Sequence, residues 1–281
     1  MRAFQRRYLF IGDLVLRTGL HVGGGEVSLS ASDSPVVRTP DGQPYIPGSS
    51  FKGVFRSTVE RLATTVGLRS CGLMEGQGCP GAPGSEEQAR FNDLREGKDE
   101  ATLLEYLTRG VPINGQTIRL CDTCWLFGSP YVASKISFSD LYLAEDIEGI
   151  VQVRDGVAID RDSEKQVSGL LYNYEVVAPT TPFRMEILLE DPTDTDLRLT
   201  CLGLSEFLSG FGGLGGRRSR GLGRCDLMNL KIYELDLTAE DTRERARRLQ
   251  RYLRGTTPEA KMILLSDALG FINAQIAALL A

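Results

Sequence analysis

Phe183-Arg-Met-Glu-Ile-Leu-Leu189 sets Phe183, Met185, Ile187 and Leu189 on one side of an extended chain. That period of two predicts a half-buried strand. Leu199 to Phe211 follows as a helix, stopped by Gly212-Gly213, and a last strand places Met228, Leu230 and Ile232 together. The second half of the chain therefore reads strand, helix, strand. The first half supplies the remaining core elements. A strand over roughly Tyr8 to Leu20 is broken at Gly12-Asp13, where a bulge fits. Ser49-Ser50 then caps a helix whose Phe51, Val54, Phe55, Val59, Leu62 and Val66 follow helical spacing. Ile136 to Leu143 reads as a further strand. The fold class is α+β, a ferredoxin-like or RRM-like core, because both helices need one sheet to bury their apolar stripes.

Insertions interrupt this core. Residues 67–130 hold a Gly/Cys/Pro-rich piece (Cys71 to Gly84) and an acidic helical piece (Glu86 to Leu107). Residues 152–172 are polar, with turn signals at Arg154-Asp155-Gly156 and Arg161-Asp162. We divide the chain into a domain over 1–237 and a helical extension over 238–281, with helices at about 239–254 and 258–280.

The 281 residues suffice for a real core, and 42% apolar with 25% charged residues excludes a wholly disordered chain. The longest apolar runs are too short to span a bilayer, and the N-terminus lacks a signal core, so a cytoplasmic protein without a membrane partner is expected. Six cysteines are too few for a disulfide scaffold. The net charge of −5 hides a segregation: residues 1–70 and 207–281 together sum to +8, residues 71–206 to −13. A fold joining the ends would carry a basic face on an acidic molecule.

Gly210 to Arg224 holds seven glycines and four arginines, with no acid between Glu206 and Asp226. Glycines such as Gly215 and Gly216 let backbone N–H groups approach an anion, and Arg217, Arg218, Arg220 and Arg224 add forked donors for phosphate. A flexible loop with solvated arginines is the plainer alternative. His21, Gly23 and Gly24 form a second glycine-rich piece. Ser49, Ser50, Lys52 and Arg56 form a third, at a helix start whose N–H groups favour phosphate, with Lys52 and Arg56 on one exposed edge. An ordinary helix cap would look the same. The lone His21 supports no Ser-His-Asp triad. Cys121-Asp-Thr-Cys124 has a metal-knuckle spacing that Cys71 and Cys79 complete for one zinc ion; four reduced thiols are the alternative. Cys201 and Cys225 read as buried apolar residues.

Leu20-His-Val-Gly-Gly-Gly25, Ser32-Asp-Ser-Pro-Val-Val-Arg38, Pro44-Tyr-Ile-Pro-Gly-Ser-Ser-Phe-Lys-Gly-Val-Phe-Arg56 and the glycine/arginine loop together resemble the RAMP superfamily of CRISPR proteins. Cys124-Trp-Leu-Phe-Gly-Ser-Pro130, Arg154-Asp-Gly-Val-Ala-Ile-Asp-Arg161 and Leu171-Tyr-Asn-Tyr-Glu-Val-Val177 are similar to its type III backbone subunits, so that most of residues 8–237 is covered. The resemblance implies subunits that polymerise along a guide RNA beside other copies or paralogues. It implies a thumb at about 150–176, here with Arg154, Asp155, Arg161 and Tyr172. It also implies guide contacts at Ser49, Lys52, Arg56 and the arginines of 217–224, and zinc-binding cysteines in the insertion. Its catalytic members cleave guide-paired target RNA with a divalent metal, Mg²⁺ by expectation, at a position matched by Asp33. From the residues alone, Asp33 reads rather as an Asx-turn or a cap before Ser34-Pro35. A non-catalytic guide-binding subunit and a guide-processing ribonuclease are the competing functions. No aromatic pair on the first and last strands is arranged to stack bases, so recognition by backbone and shape is expected, with sequence read by pairing to the guide.

Overall fold

The computed structural model describes residues 4–24, 32–72, 79, 84–97, 111–113, 116–118, 120–129, 132–162 and 164–281. The segments between them, including Gly25 and most of the Cys71 to Gly84 piece, lie outside the described residues, as does the acidic helical piece beyond residue 97. In chain order the described elements are β1 (Arg6–Leu16), α1 (Gly48–Thr65), α2 (Glu86–Glu96), β2 (Val111–Ile113), β3 (Gln116–Ile118), α3 (Asp122–Phe127), β4 (Ile136–Phe138), β5 (Val151–Ile159) and β6 (Gln166–Val177). They continue with β7 (Pro182–Glu190), α4 (Asp194–Leu208), β8 (Cys225–Asp236), α5 (Thr242–Arg254), α6 (Pro258–Lys261), β9 (Ile263–Leu264) and α7 (Ala268–Leu280).

The main sheet is antiparallel, in the order β4-β7-β1-β8-β9. Without β9 this is the strand order of a ferredoxin-like βαββαβ unit. Alternation fixes which face is buried, since a one-residue slip would turn every apolar side chain to the other face. Phe183, Met185, Ile187 and Leu189 of β7 are fully buried, as are Phe10 and Leu14 of β1. They face α1, through Phe51, Phe55, Val59 and Ala63, and α4, through Leu204 and Phe207. The Phe55 and Phe207 rings stack with centroids 6.0 Å apart. Each such side chain contributes roughly 1.5–3 kcal/mol of burial. The β1 register shifts between Ile11 and Asp13, so the bulge falls at the Gly12 break.

Two packing details anchor the elements. Thr193 and Asp196 form a reciprocal capping box at the start of α4. Lys135, at the entrance to β4, donates to the buried Asp196 carboxylate at 2.5 Å and lies 4.6 Å over the Trp125 ring.

The strand expected to Leu20 ends at Leu16, the helix expected from Leu199 starts at Asp194 and ends at Leu208, and Met228 is exposed while Ile232 is buried, because the register shifts at the β1 bulge. Four further expectations change. First, α1 begins at Gly48 with Pro47 as its N-cap and no side-chain cap bond. Ser49 and Ser50 lie within the helix, and the Gly48 N–H donates to the Asp140 carboxylate at 2.7 Å instead. Second, Arg154-Asp155-Gly156 is not a turn. It lies inside β5, paired to Tyr174, Asn173 and Tyr172 of β6. The reversal comes at Asp160, whose N–H donates to Lys165 O at 2.9 Å. Third, the helix expected over 258–280 is two helices separated by β9, because Ile263 and Leu264 pair with Glu234 and Tyr233 on the free edge of β8. Fourth, Arg56 is not on an exposed edge; its side chain is 13% exposed and its nitrogens are engaged.

The C-terminal elements wrap the β8 edge. On one side α7 joins the main core, with Ile272 buried and Phe271 packed 6.0 Å from Tyr8. On the other, Met262 and Tyr252 cover Leu9, Tyr233 and Leu235 on the sheet face turned away from α1 and α4.

Candidate nucleic-acid interface

The path of the chain after β1 builds the site. Arg17 and Thr18 donate backbone N–H bonds to Arg224 O at 2.8 and 3.3 Å, and the Gly223 N–H donates to Gly19 O at 2.8 Å. Leu20 exchanges two backbone bonds with Val177, at the end of β6. Gly216 then donates to His21 O at 2.9 Å. The segment 17–24 is thus held between the glycine/arginine loop and β6. Two glycines are sterically required. At Gly215, φ is +69° and a Cβ would stand 2.3 Å from His21 O. At Gly223, φ is +84° and a Cβ would stand 1.9 Å from Leu214 O.

His21 is buried in this junction. Its Nδ1 lies 2.7 Å from Glu175 O, so Nδ1 carries the proton and donates. Its Nε2 then accepts from the Ser34 hydroxyl at 3.2 Å. The partner of Nδ1 is a backbone carbonyl and not a carboxylate, so the geometry is that of a structural tie. The Glu175 carboxylate is occupied by the Val36 N–H at 3.0 Å and by Arg38 at 3.1 Å.

Asp33 is exposed at the root of the β5–β6 hairpin. Its N–H donates to Asn173 Oδ1 at 2.7 Å, and its Oδ2 accepts from the Asn173 N–H at 2.8 Å. This reciprocal pair fixes the carboxylate against β6, while Oδ1 has no partner among the described residues. Asn173 was not among the residues singled out from sequence. It bonds across a separation of 140 residues, which no local pattern reveals.

The arginine loop reaches the same hairpin. Arg217 lies 4.0 Å from the Tyr174 ring centroid and 5.0 Å from that of Tyr172, and donates to the Tyr172 hydroxyl at 3.2 Å. Arg220 donates to the same hydroxyl. These guanidinium hydrogen bonds, Arg217 first, hold the Tyr172 hydroxyl below its usual pKa. Gly156 makes room opposite: a Cβ there would meet the Tyr172 ring at 2.4 Å. Arg218, Arg220 and Arg224 are exposed, and among the described residues no carboxylate comes within ion-pair distance of the four loop arginines. An acid-free cation cluster of this kind has its full charge available to an anionic backbone. Tyr174, like Asn173, was missed in sequence; the alternation Tyr172-Asn-Tyr174 was the available signal.

The α1 residues do not join this junction. Lys52 donates to the Ser134 hydroxyl at 3.3 Å, and burial, then the charge of Arg56, lowers its pKa. Arg56 donates to Glu60 at 2.7 Å, Gly128 O at 3.1 Å and Cys124 Sγ at 3.4 Å. Burial opposes its charge, but the Glu60 hydrogen bond and ion pair outweigh it, so its pKa is raised. No hydrogen bond or ion pair joins either residue to the glycine/arginine loop among the described residues.

The Sγ atoms of Cys71, Cys79, Cys121 and Cys124 all lie within 4.8 Å of one another. Four thiolates at about 2.3 Å from a zinc ion stand about 3.8 Å apart, so the donor set fits a tetrahedral site. Hydrogen bonds from Cys124 and Cys79 hold the Cys121 thiol well below its usual range, while the Cys121 contact pushes the Cys79 thiol up to about 12. Cys201 and Cys225 lie apart, buried, and burial pushes each up to about 12. Asp33 belongs to no such cluster among the described residues.

The sheet face that an RRM uses for base stacking is not free here. Tyr233, the β8 aromatic on that face, is 1% exposed and donates to Glu259. Among the described residues no helix is long and apolar enough to cross a membrane.

A ferredoxin-like core with a glycine/arginine loop folded against a hairpin root defines a class, and the family comparison agrees. The RAMP superfamily model matches residues 13–226, and the chain belongs to that superfamily. Among individual relatives, it is 26% identical over 238 residues to the "CRISPR system Cms endoribonuclease Csm3" of Methanothermobacter thermautotrophicus, covering 82% of this chain and 87% of that protein. The protein of the same name from Methanocaldococcus jannaschii is 25% identical over 238 residues, covering 79% of this chain and 78% of that one. A third, from Enterococcus italicus, is 48% identical over 73 residues, covering 25% of this chain and 33% of the relative.

Proposed function

We propose that this chain is a backbone subunit of a type III CRISPR ribonucleoprotein, binding guide RNA along its backbone and cleaving the complementary target RNA at Asp33. The observation that carries the reading is the exposed Asp33 carboxylate, pinned by Asn173 to the hairpin that Arg217 and Arg220 also reach, from a loop whose arginines meet no carboxylate among the described residues. The names of the relatives, endoribonucleases of a CRISPR system, support the same reading.

The chain's own residues divide the work. Arg218, Arg220 and Arg224 hold phosphates. Arg217, stacked on Tyr172 and Tyr174, fixes the loop against the hairpin. The hairpin, as thumb, separates paired strands so that one target nucleotide lies with its 2′-oxygen in line with the neighbouring phosphorus. Attack by that 2′-hydroxyl, which gives up its proton to solvent, forms a 2′,3′-cyclic phosphate and breaks the bond to the 5′-oxygen, which takes a proton from solvent as it leaves. Asp33 Oδ1 would hold a divalent cation such as Mg²⁺, which when bound supplies charge relief at the phosphate. One carboxylate is a sparse protein ligand set, so phosphate and water oxygens complete the coordination. The four cysteines would hold a structural zinc that ties the insertion to α1 and α3.

Asp33→Asn is the sharpest test, because an amide oxygen still accepts from the Asn173 N–H while the charge is lost. In the assembled ribonucleoprotein, cutting of a complementary transcript falls at least a hundredfold, the scale of a lost electrostatic or acid–base group. Guide binding stays within about twofold, and removal of divalent cations abolishes wild-type cutting. The isolated position of Asp33 favours a binding-only subunit as the second reading; wild type that binds guide and never cuts would establish it. Cutting of a precursor repeat without any complementary strand would point to guide processing instead.

A further inference from the structure

We infer that Arg56 is a positioning residue of the four-cysteine site, an outer-shell donor to the Cys124 sulfur, and not a contact to RNA phosphate. The inference rests on the zinc reading of the cysteines and deepens it.

The residue's three nitrogens are all assigned. Nε donates to Glu60 at 2.7 Å, Nη1 to Gly128 O at 3.1 Å and Nη2 to Cys124 Sγ at 3.4 Å. The guanidinium also lies 5.7 Å over the Phe127 ring. Its side chain and that of Glu60 are 13% and 14% exposed. To reach a phosphate, Arg56 would break a half-buried ion pair and two further bonds. Truncating one partner of such a pair costs several kcal/mol where the other charge stays buried, so the native contacts hold it in place.

The chemistry of the partner explains the placement. Four thiolates around one divalent ion carry a net charge of −2, with Cys124 fully buried among them. A buried charge of that size needs donors. Backbone N–H groups supply two, from Cys121 to Cys79 Sγ at 3.3 Å and from Cys124 to Cys121 Sγ at 3.4 Å. Arg56 supplies a charged one. Outer-shell donors of this kind commonly carry 10–100-fold in metal affinity.

The same guanidinium grips the knuckle mechanically. Gly128 ends α3, donating its N–H to Cys124 O at 3.0 Å, and its carbonyl accepts from Arg56. One side chain on α1 therefore touches both a metal-ligating sulfur and the end of the helix that presents it. Lys52, one turn earlier, bonds the Ser134 hydroxyl and, among the described residues, no carboxylate, so it keeps its charge for RNA.

The test compares Arg56→Gln, Arg56→Lys and Lys52→Ala in the full chain. Zinc affinity is read by competition with a chromogenic chelator, and the thiolate environment by the charge-transfer absorption of the cobalt-substituted protein. Guide RNA affinity is measured with zinc in excess. Arg56→Gln should lose 10–100-fold in zinc affinity and shift the cobalt spectrum, with guide affinity within about twofold. Arg56→Lys, which keeps charge and loses the fork, should fall between. Lys52→Ala should keep its zinc. Should Arg56→Gln fail to fold, Glu60→Gln, which frees Nε and leaves Cys124 untouched, should weaken zinc only a few-fold. Zinc affinity unchanged in both Arg56 variants, with guide affinity lost, would overturn the inference. Wild type that binds no zinc would overturn it and leave the RNA reading standing; wild type that binds zinc and no RNA would do the reverse.

Discussion

The molecule carries two groups of cations on glycine-rich segments, and they are put to opposite uses. In the loop at 217–224, three arginines are exposed, and the fourth is stacked on the tyrosines of β6 with no carboxylate at ion-pair distance among the described residues. On α1, Arg56 is spent on Glu60, Gly128 O and Cys124 Sγ, and the first helical N–H is spent on Asp140. Both segments join glycines to basic side chains along the sequence. What differs is the neighbour: β6 offers aromatic faces and a hydroxyl, whereas the insertion offers sulfur and a carbonyl. A cation held by π-faces keeps its net charge for a ligand; a cation paired to a carboxylate does not.

That contrast can be broken at several points. Gly223→Ala should have the largest effect. It places a Cβ where φ is +84° and Leu214 O is 1.9 Å away, so the loop cannot close on Gly19. Chemical denaturation should show a loss of about 2–3 kcal/mol, and guide affinity should fall about a hundredfold with the arginines misplaced. Arg217→Lys comes next. It keeps the charge and loses the planar stack over Tyr174, and fluorescence anisotropy should report about tenfold weaker guide binding. Tyr172→Phe should be smaller, about threefold, because the ring stays while two guanidinium groups lose an acceptor. Lys52→Ala should be smallest, at about twofold, since one partly desolvated lysine is lost.

The sequence carried the skeleton of the fold because the skeleton depends on local periodicity. Phe183 to Leu189 alternates, the α1 residues follow helical spacing, and Gly12 marks the bulge in β1. It misled where a partner far along the chain decides. Asp155-Gly156 has turn chemistry, yet ladder pairing with Asn173 and Tyr172 keeps it extended. Met262 to Leu265 continues a helical pattern, yet the free edge of β8 draws Ile263 and Leu264 into a strand. The site divides the same way. Glycines and arginines announce the loop by composition, and Cys121 and Cys124 announce themselves by spacing, whereas Cys71 and Cys79 do not. The tie of Asp33 to Asn173, and the capture of Arg56 by the knuckle, depend on where the insertion and hairpin fold back, and spacing along the chain is silent on that.

The most direct measurement is the salt dependence of guide RNA binding. It is taken for the wild type, for the chain with Arg217, Arg218, Arg220 and Arg224 all changed to alanine, and for Arg56→Gln. Each phosphate contact to a single strand contributes about −0.7 to the slope of log affinity against log salt. The account predicts that the fourfold variant loses about 2–3 from the slope and about a hundredfold in affinity at physiological salt, while Arg56→Gln keeps the wild-type slope. An unchanged slope in the loop variant, with the loss appearing at Arg56, would contradict it.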